Sequence, residues 1–127
     1  MTLQIWLLLV LVALGGLGSV VRYLLSQWQG FLPWGILTAN VVASMIFGLC
    51  LSAQATTQAS PFLNYLMPLV ATGFAGGLST FSSWAAQTAG LITAKNGRAA
   101  MWNTVLNLVL PVAAVIVGMN LSPILLK

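Results

Sequence analysis

The chain contains no aspartate, no glutamate and no histidine, and four lysines and arginines are its only charged side chains among 127 residues. These absences exclude a great deal. Proton-coupled carriers and most cation pathways place carboxylates or imidazoles inside the membrane, and acid–base hydrolysis uses the same groups. Neither chemistry can run here, so the chain is not expected to be an enzyme. A small proton-coupled drug exporter would match it in size but lacks its essential carboxylate. With Cys50 as the only cysteine, no internal disulfide and no multi-cysteine metal site can form. Cys50 reads as a small apolar filler. Four dispersed cations make no nucleic-acid patch, whereas a formal charge of +4 suits anionic lipid head groups.

What is present is apolar. Hydrophobic residues make up 60% of the chain and charged ones 3%, against about 25% charged in ordinary soluble domains. Four charged side chains cannot cover the surface of a soluble protein of this length, so the chain is an integral, multi-pass membrane protein. The N-terminal apolar run lacks a basic leader and a clear small-residue cleavage site, and is expected to be a retained helix rather than a signal peptide.

Four spans fit: about residues 3–26, 35–53, 61–94 and 98–125, forming one all-α domain over 1–127. Short connectors separate them. Gln27 to Trp34 carries Gly30 and Pro33, Gln54 to Ser60 is polar, and Lys95-Asn96-Gly97 is a turn signal. An even number of spans puts both termini on one face with Lys127, and Arg22, Lys95 and Arg98 on the other. That bias of three to one would place the termini outside, yet it is weak enough for either insertion direction.

The third span carries the most information. Between Pro61 and Ala94 there is no charge, and Gly73-Phe74-Ala75-Gly76-Gly77-Leu78-Ser79-Thr80-Phe81-Ser82 interrupts the apolar run. Three glycines followed by hydroxyls and aromatics predict a helix broken near 73–79. Irregular backbone at bilayer depth is tolerated only where it is buried in protein or lines a polar cavity, and half-helix ends present partial charges to ions. A pathway without acidic groups favours an anion or an uncharged permeant. Four helices enclose little space, so a route is expected between subunits.

Polar residues fall in stripes. Asn40, Ser44 and Gly48 share one face of the second span, and Asn40 can either lock helices together or donate to a passing anion. Phe81, Trp84 and Thr88 lie close to one stripe, with Ser83 and Gln87 on another. Aromatic edges carry partial positive charge, and neighbouring hydroxyls and amides can replace part of an ion's hydration shell. Asn103 and Asn107 form a polar seam or a helix lock. Carbonyls freed near Gly76 and Ser79, at a half-helix C-terminus, suit a small cation. Gly15, Gly18 and Ser19, with Ser44 and Gly48, permit close helix approach.

Three landmarks, in order and spacing, resemble the Fluc (CrcB) family of fluoride channels: Gly15-Gly16-Leu17-Gly18 leading to Arg22-Tyr23, Gly35-Ile36-Leu37-Thr38-Ala39-Asn40, and the break itself. The resemblance covers essentially the whole chain. It implies an antiparallel, dual-topology dimer with two fluoride pathways along the subunit interface, and a structural, untransported Na⁺ held by main-chain carbonyls of Gly76 and Ser79. It assigns Asn40 and Phe81 to the pathway and Arg22 to a helix end at the vestibule. Ser82, Ser83, Trp84, Gln87 and Asn103 complete the expected route for passive fluoride export across the cell membrane.

The chain also departs from the family pattern. Trp84 stands where a second pore phenylalanine is expected, Gln87 where glutamate is common, Ala85 where a hydroxyl is common, and Asn103 near a pore tyrosine. These changes open an alternative: a degenerate, mainly structural subunit paired with a homologue as a heterodimer.

Overall fold

The computed structural model describes residues 2–56 and 61–125. Thr57 to Ser60 of the second connector, and the terminal residues Met1 and Lys127 that enter the orientation argument, lie outside them. The regular structure of the described residues is all helical: α1 (Leu3–Ser26), α2 (Trp34–Thr56), α3 (Pro61–Leu69), a π-helical turn (Val70–Ala75), α4 (Gly76–Leu78), α5 (Phe81–Thr93) and α6 (Gly97–Leu125). Among them, α1, α2 and α6 are each long and apolar enough to cross a membrane.

Between α2 and α6 runs the interrupted segment. Pro68 lies inside α3, where its ring removes one amide donor from the helical ladder. The Thr72 hydroxyl donates to the Pro68 carbonyl, and the wide turn begins at Val70. Such π-turns inside α-helices frequently accompany functional sites. Helical backbone then continues through Leu78.

The break is narrower than the glycine run suggests. Gly76 has helical φ −63° and ψ −38°, and no described glycine has positive φ. The extended residues are Ser79 (φ −75°, ψ 151°) and Thr80 (φ −157°, ψ 124°). The glycines instead make room for neighbours. A Cβ on Gly77 would lie 2.2 Å from the Gly15 carbonyl oxygen, and one on Gly18 would lie 2.2 Å from that of Phe74. Lipid supplies no hydrophobic drive for helices to associate, so this contact rests on close backbone approach between small residues. The Ser19 hydroxyl adds a hydrogen bond to the Gly77 carbonyl at 3.4 Å.

The core follows the same rule. Ala39, Ala43, Ala75 and Leu78 form its buried centre, with Leu25, Ile46 and Phe74 packed around them. Helix α2 pairs with α6 along its length; Gly48 sits against the Val115 backbone and Gly118 against that of Met45. At the far end of α5, Lys95 adopts a left-handed φ of 58° and the Asn96 amide donates to the Leu91 carbonyl at 2.9 Å. This is a Schellman-type stop. Asn96 Oδ1 then accepts the Ala99 amide at 3.2 Å, starting α6.

Candidate functional site

The longest run of polar contacts among the described residues starts at the break, whereas the buried Ser52 and Ser122 lie apart from it. Thr80 caps α5: its hydroxyl oxygen accepts the Ser83 amide at 3.2 Å, satisfying a donor that the helix start leaves open. The Ser82 and Ser83 hydroxyls lie within 3.2 Å of the same oxygen. The Thr80 amide donates to Asn40 Oδ1 at 2.8 Å rather than to the Gly76 carbonyl four residues back. Asn40 Nδ2 donates in turn to the Thr80 carbonyl at 3.3 Å. One side chain of α2 thus occupies both backbone groups of Thr80.

From Asn40 a relay of side chains runs across to α6 and back to α5. Asn40 Nδ2 also donates to Asn107 Oδ1 at 3.0 Å, Asn107 Nδ2 to Asn103 Oδ1 at 3.0 Å, and Asn103 Nδ2 to Thr88 Oγ1 at 2.9 Å. The Thr88 hydroxyl closes the chain on the Trp84 carbonyl at 2.9 Å. Asn103 is 1% exposed, so it serves as an interior link of this relay and faces no open groove of the subunit. Pro111, one turn beyond Asn107, has no amide to give, which leaves the Asn107 carbonyl without its helical donor.

The break is flanked by two shallow grooves. One, of about 180 Å³, is lined by Asn40, Ser44, Thr80, Phe81, Trp84 and Asn107. The other, of about 300 Å³, is lined by Ser44, Phe47, Thr72, Gly76 and Ser79 among others. Ser44 and Ser79 border both. Phe81 is 74% exposed, and its ring meets that of Trp84 edge-on, with centroids 4.7 Å apart and planes at 62°. Gly76 is exposed and a Cβ there would touch nothing within 4 Å. Arg22 Nη1 donates to the Ser79 carbonyl at 3.4 Å, so the charge of α1 reaches the broken end.

The electrostatics follow from the helix ends. The segment ending at Leu78 turns a partial negative charge toward Ser79, and α5 starts with a partial positive one at Phe81. No carboxylate opposes either. Oxygens therefore cluster on the Gly76–Ser79 side, whereas amide and hydroxyl hydrogens and ring edges lie on the Thr80–Trp84 side. The first set suits a small cation and the second a small anion.

Sequence spacing indicated Asn40, Phe81, Ser83 and Trp84, and the resemblance added Ser82; the structure brings these together beside the break. Gln87 lies one turn past Trp84 and borders a separate cavity with Gln29, Gly30 and Pro33. Thr80 and Asn107 were not singled out as site residues. Their signals were Thr80's place directly before α5 and the four-residue spacing of Asn107 from Asn103.

Residues 9–119 match the family described as CrcB-like protein, Camphor Resistance (CrcB). The chain is 34% identical over 124 residues to a fluoride-specific ion channel FluC of Clostridium novyi, covering 93% of this chain and 95% of that protein. It is 31% identical over 129 residues to one from Clostridium perfringens, covering 97% and 99%. A FluC of Leptospira interrogans is 40% identical over 87 residues, covering 63% and 66%.

Proposed function

We propose passive fluoride conduction for this chain because it belongs to the CrcB-like family of fluoride-specific ion channels. Members of that family are channels and not enzymes, and this chain carries no side chain of the kind acid–base catalysis needs. The direction of use is export across the cell membrane, down the gradient created when acid drives hydrogen fluoride inward.

One observation supports the reading above all. The groove beside the break offers an anion hydroxyls, a helix N-terminus and the edge-on Phe81–Trp84 pair, with no acidic group to repel it. A fluoride ion sheds water at a cost, and hydroxyls, amides and ring edges in a row replace that hydration piecemeal. Asn40 contributes by a different route from the one its isolated amide suggests. Both of its Nδ2 bonds are taken by Thr80 and Asn107, so its main task is to hold the break in shape, and it meets the ion only by exchanging one of them.

Two copies inserted in opposite directions would set broken third segments back to back. The fit of a structural Na⁺ rests on the Gly76 carbonyl, which has lost its helical donor to Asn40, and on the exposed, unobstructed backbone around it. Gly76 would supply one oxygen and Ser79 another, the latter by releasing or sharing its contact with the Arg22 guanidinium. The ion would offset the negative half-helix ends and tie the two subunits together.

A heterodimeric alternative is motivated by Trp84, Gln87 and Asn103, where the resemblance implies other residues. Fluoride efflux from liposomes holding this chain alone separates the two. Robust flux supports the self-sufficient homodimer, whereas silence rescued by a co-expressed homologue supports the structural-partner reading.

A further inference from the structure

Hydroxyls within these helices follow one pattern. Thr72, Thr88, Thr93 and Thr104 each donate to the carbonyl four residues earlier, the local bond that satisfies a hydroxyl where no water reaches. Ser122 of α6 departs from it. Its side chain is fully buried, and its Oγ has no hydrogen-bond partner among the described residues. A donor left unpaired in an apolar place carries a large penalty. Trp84 Nε1 and Gln87 Oε1 share this condition but lie on α5, whereas Ser122 stands one turn from the end of α6.

Ser122 lines a cavity of about 240 Å³ whose other walls are apolar: Ile46, Leu49, Cys50 and Ala53 of α2, Met67 of α3 and Val70 of the π-helical turn. An apolar cavity of about 150 Å³ already holds benzene, so this one has room for a run of methylenes. The helices set its direction. Gly118 packs against Met45 and Leu49, which brings Ser122, one turn later, level with Ala53 near the end of α2. Ile46 lies two turns deeper, about 10 Å at ~1.5 Å per residue. The hydroxyl therefore sits at the outer end and bare hydrocarbon walls lie toward the midplane. Leu125, 67% exposed, borders the outer mouth.

Depth in the bilayer points to the occupant. With 29 residues α6 is about 43 Å long, against about 30 Å of hydrocarbon core. Its last turn thus reaches the headgroup region and Ser122 the border, the level at which lipid ester carbonyls lie. We propose that this cavity binds one acyl chain of an ester-linked membrane lipid, its ester carbonyl accepting the Ser122 hydroxyl and its first methylenes running inward past Cys50 toward Ile46 and Val70. A hydrocarbon tail alone would leave the hydroxyl unpaired, and a lone water would leave the apolar walls unfilled. A chain that begins with a carbonyl satisfies both. The headgroup stays outside the cavity. This site goes beyond the fluoride reading and does not rest on it.

The test is photolabelling of the full chain in nanodiscs doped with an ester-linked phosphatidylcholine that carries a diazirine on the upper part of one acyl chain. Two matrices are compared, ether-linked phosphatidylcholine, which lacks the carbonyl, and ester-linked phosphatidylcholine, which competes with its own. Digestion and mass spectrometry locate the label. In the ether matrix the label is expected to concentrate on Leu49, Cys50, Met67 and Val70. In the ester matrix that labelling falls about fivefold, the weight of one ordinary hydrogen bond, while labelling of the exposed Leu8 and Val12 of α1 stays the same. Ser122→Ala abolishes the difference between matrices; should that variant reconstitute poorly, the comparison on the unaltered chain decides by itself. Equal cavity labelling in both matrices overturns the proposal and assigns the hydroxyl to water. Label spread evenly over the exposed apolar faces, or missing from the cavity because a second copy covers it, overturns it too. None of these outcomes alters the fluoride reading, which liposome efflux tests separately.

Discussion

Asn40 holds Thr80 by both of its backbone groups, accepting its amide at 2.8 Å and donating to its carbonyl at 3.3 Å. A side chain of one helix therefore does for the interrupted segment what the next helical turn would otherwise do. The interruption persists because its exposed peptide groups are satisfied from outside.

Replacing Asn40 with alanine strips Thr80 of both contacts and leaves Asn107 Oδ1 without its donor. The expected loss is about 1–3 kcal/mol for each buried group left unpaired, diminished where lipid-exposed groups find new partners. Thermal unfolding in detergent, followed by the fraction of monodisperse protein after heating, reads the effect. An unchanged melting temperature would show that the clasp contributes nothing.

The glycines give a graded comparison. Gly77→Ala and Gly18→Ala force a Cβ to within 2.2 Å of backbone oxygen, whereas Gly16→Ala meets nothing within 4 Å. The first two are expected to cost several kcal/mol or prevent folding, as overpacking against rigid backbone does. Gly16→Ala is expected to be neutral or to gain up to about 1 kcal/mol from helix propensity. Equal melting temperatures for Gly77→Ala and Gly16→Ala would contradict the close α1–α4 approach.

Phe81 is mostly exposed, so Phe81→Ile leaves the subunit's packing intact while removing an aromatic edge. Assembly is expected to be normal and fluoride efflux weakened by an order of magnitude, about 1.4 kcal/mol of lost ion stabilisation. Undiminished flux would remove the aromatic edge from the mechanism.

These outcomes also mark what could be read from residue order. The helical class, the membrane setting and an interruption of the third segment follow from charge scarcity and from the Gly-Gly-Leu-Ser-Thr-Phe-Ser run. Its finer placement did not: the extended backbone lies at Ser79, the end of the expected stretch 73–79, and at Thr80 just beyond it. Gly73, Gly76 and Gly77 look like the breaking residues, but α1 packs against Gly73 and Gly77, where a side chain would collide, and Gly76 is helical and exposed. The backbone opens at Ser79 and Thr80, where Asn40, distant in sequence, offers a better partner than the preceding turn. The polar stripe of α6 was visible, but not the direction it faces. Asn103 turns inward to Thr88 because α6 packs against α5 there. That Trp84 Nε1 and Gln87 Oε1 find no hydrogen-bond partner among the described residues depends on what packs around α5, which no local spacing encodes.

Exchange of Na⁺ for a large organic cation should weaken the dimer if Gly76 and Ser79 oxygens hold the ion. The measurement is the dimer fraction in dilute proteoliposomes, and the expected change is a loss with N-methylglucamine that Na⁺ reverses. A dimer indifferent to the cation would assign those carbonyls to water.

Without Asp, Glu or His, no side chain titrates between about pH 5 and pH 7. Flux per fluoride ion is therefore expected to be flat across that range. Gln87→Glu should assemble normally and add a single titrating group. Burial raises a carboxyl above its usual range, so the neutral acid predominates at low pH and the repelling carboxylate at high pH. Flux in this variant should fall as pH rises. A variant as flat as the parent, or one that fails to dimerise, would contradict the position assigned to residue 87.

Parallel fluoride- and chloride-electrode recordings from liposomes containing only this chain go furthest. A neutral groove of hydroxyls, amide hydrogens and ring edges beside the Ser79–Thr80 break should release trapped fluoride rapidly and retain chloride. Fluoride retained as firmly as in protein-free liposomes, or both anions released alike, would contradict it.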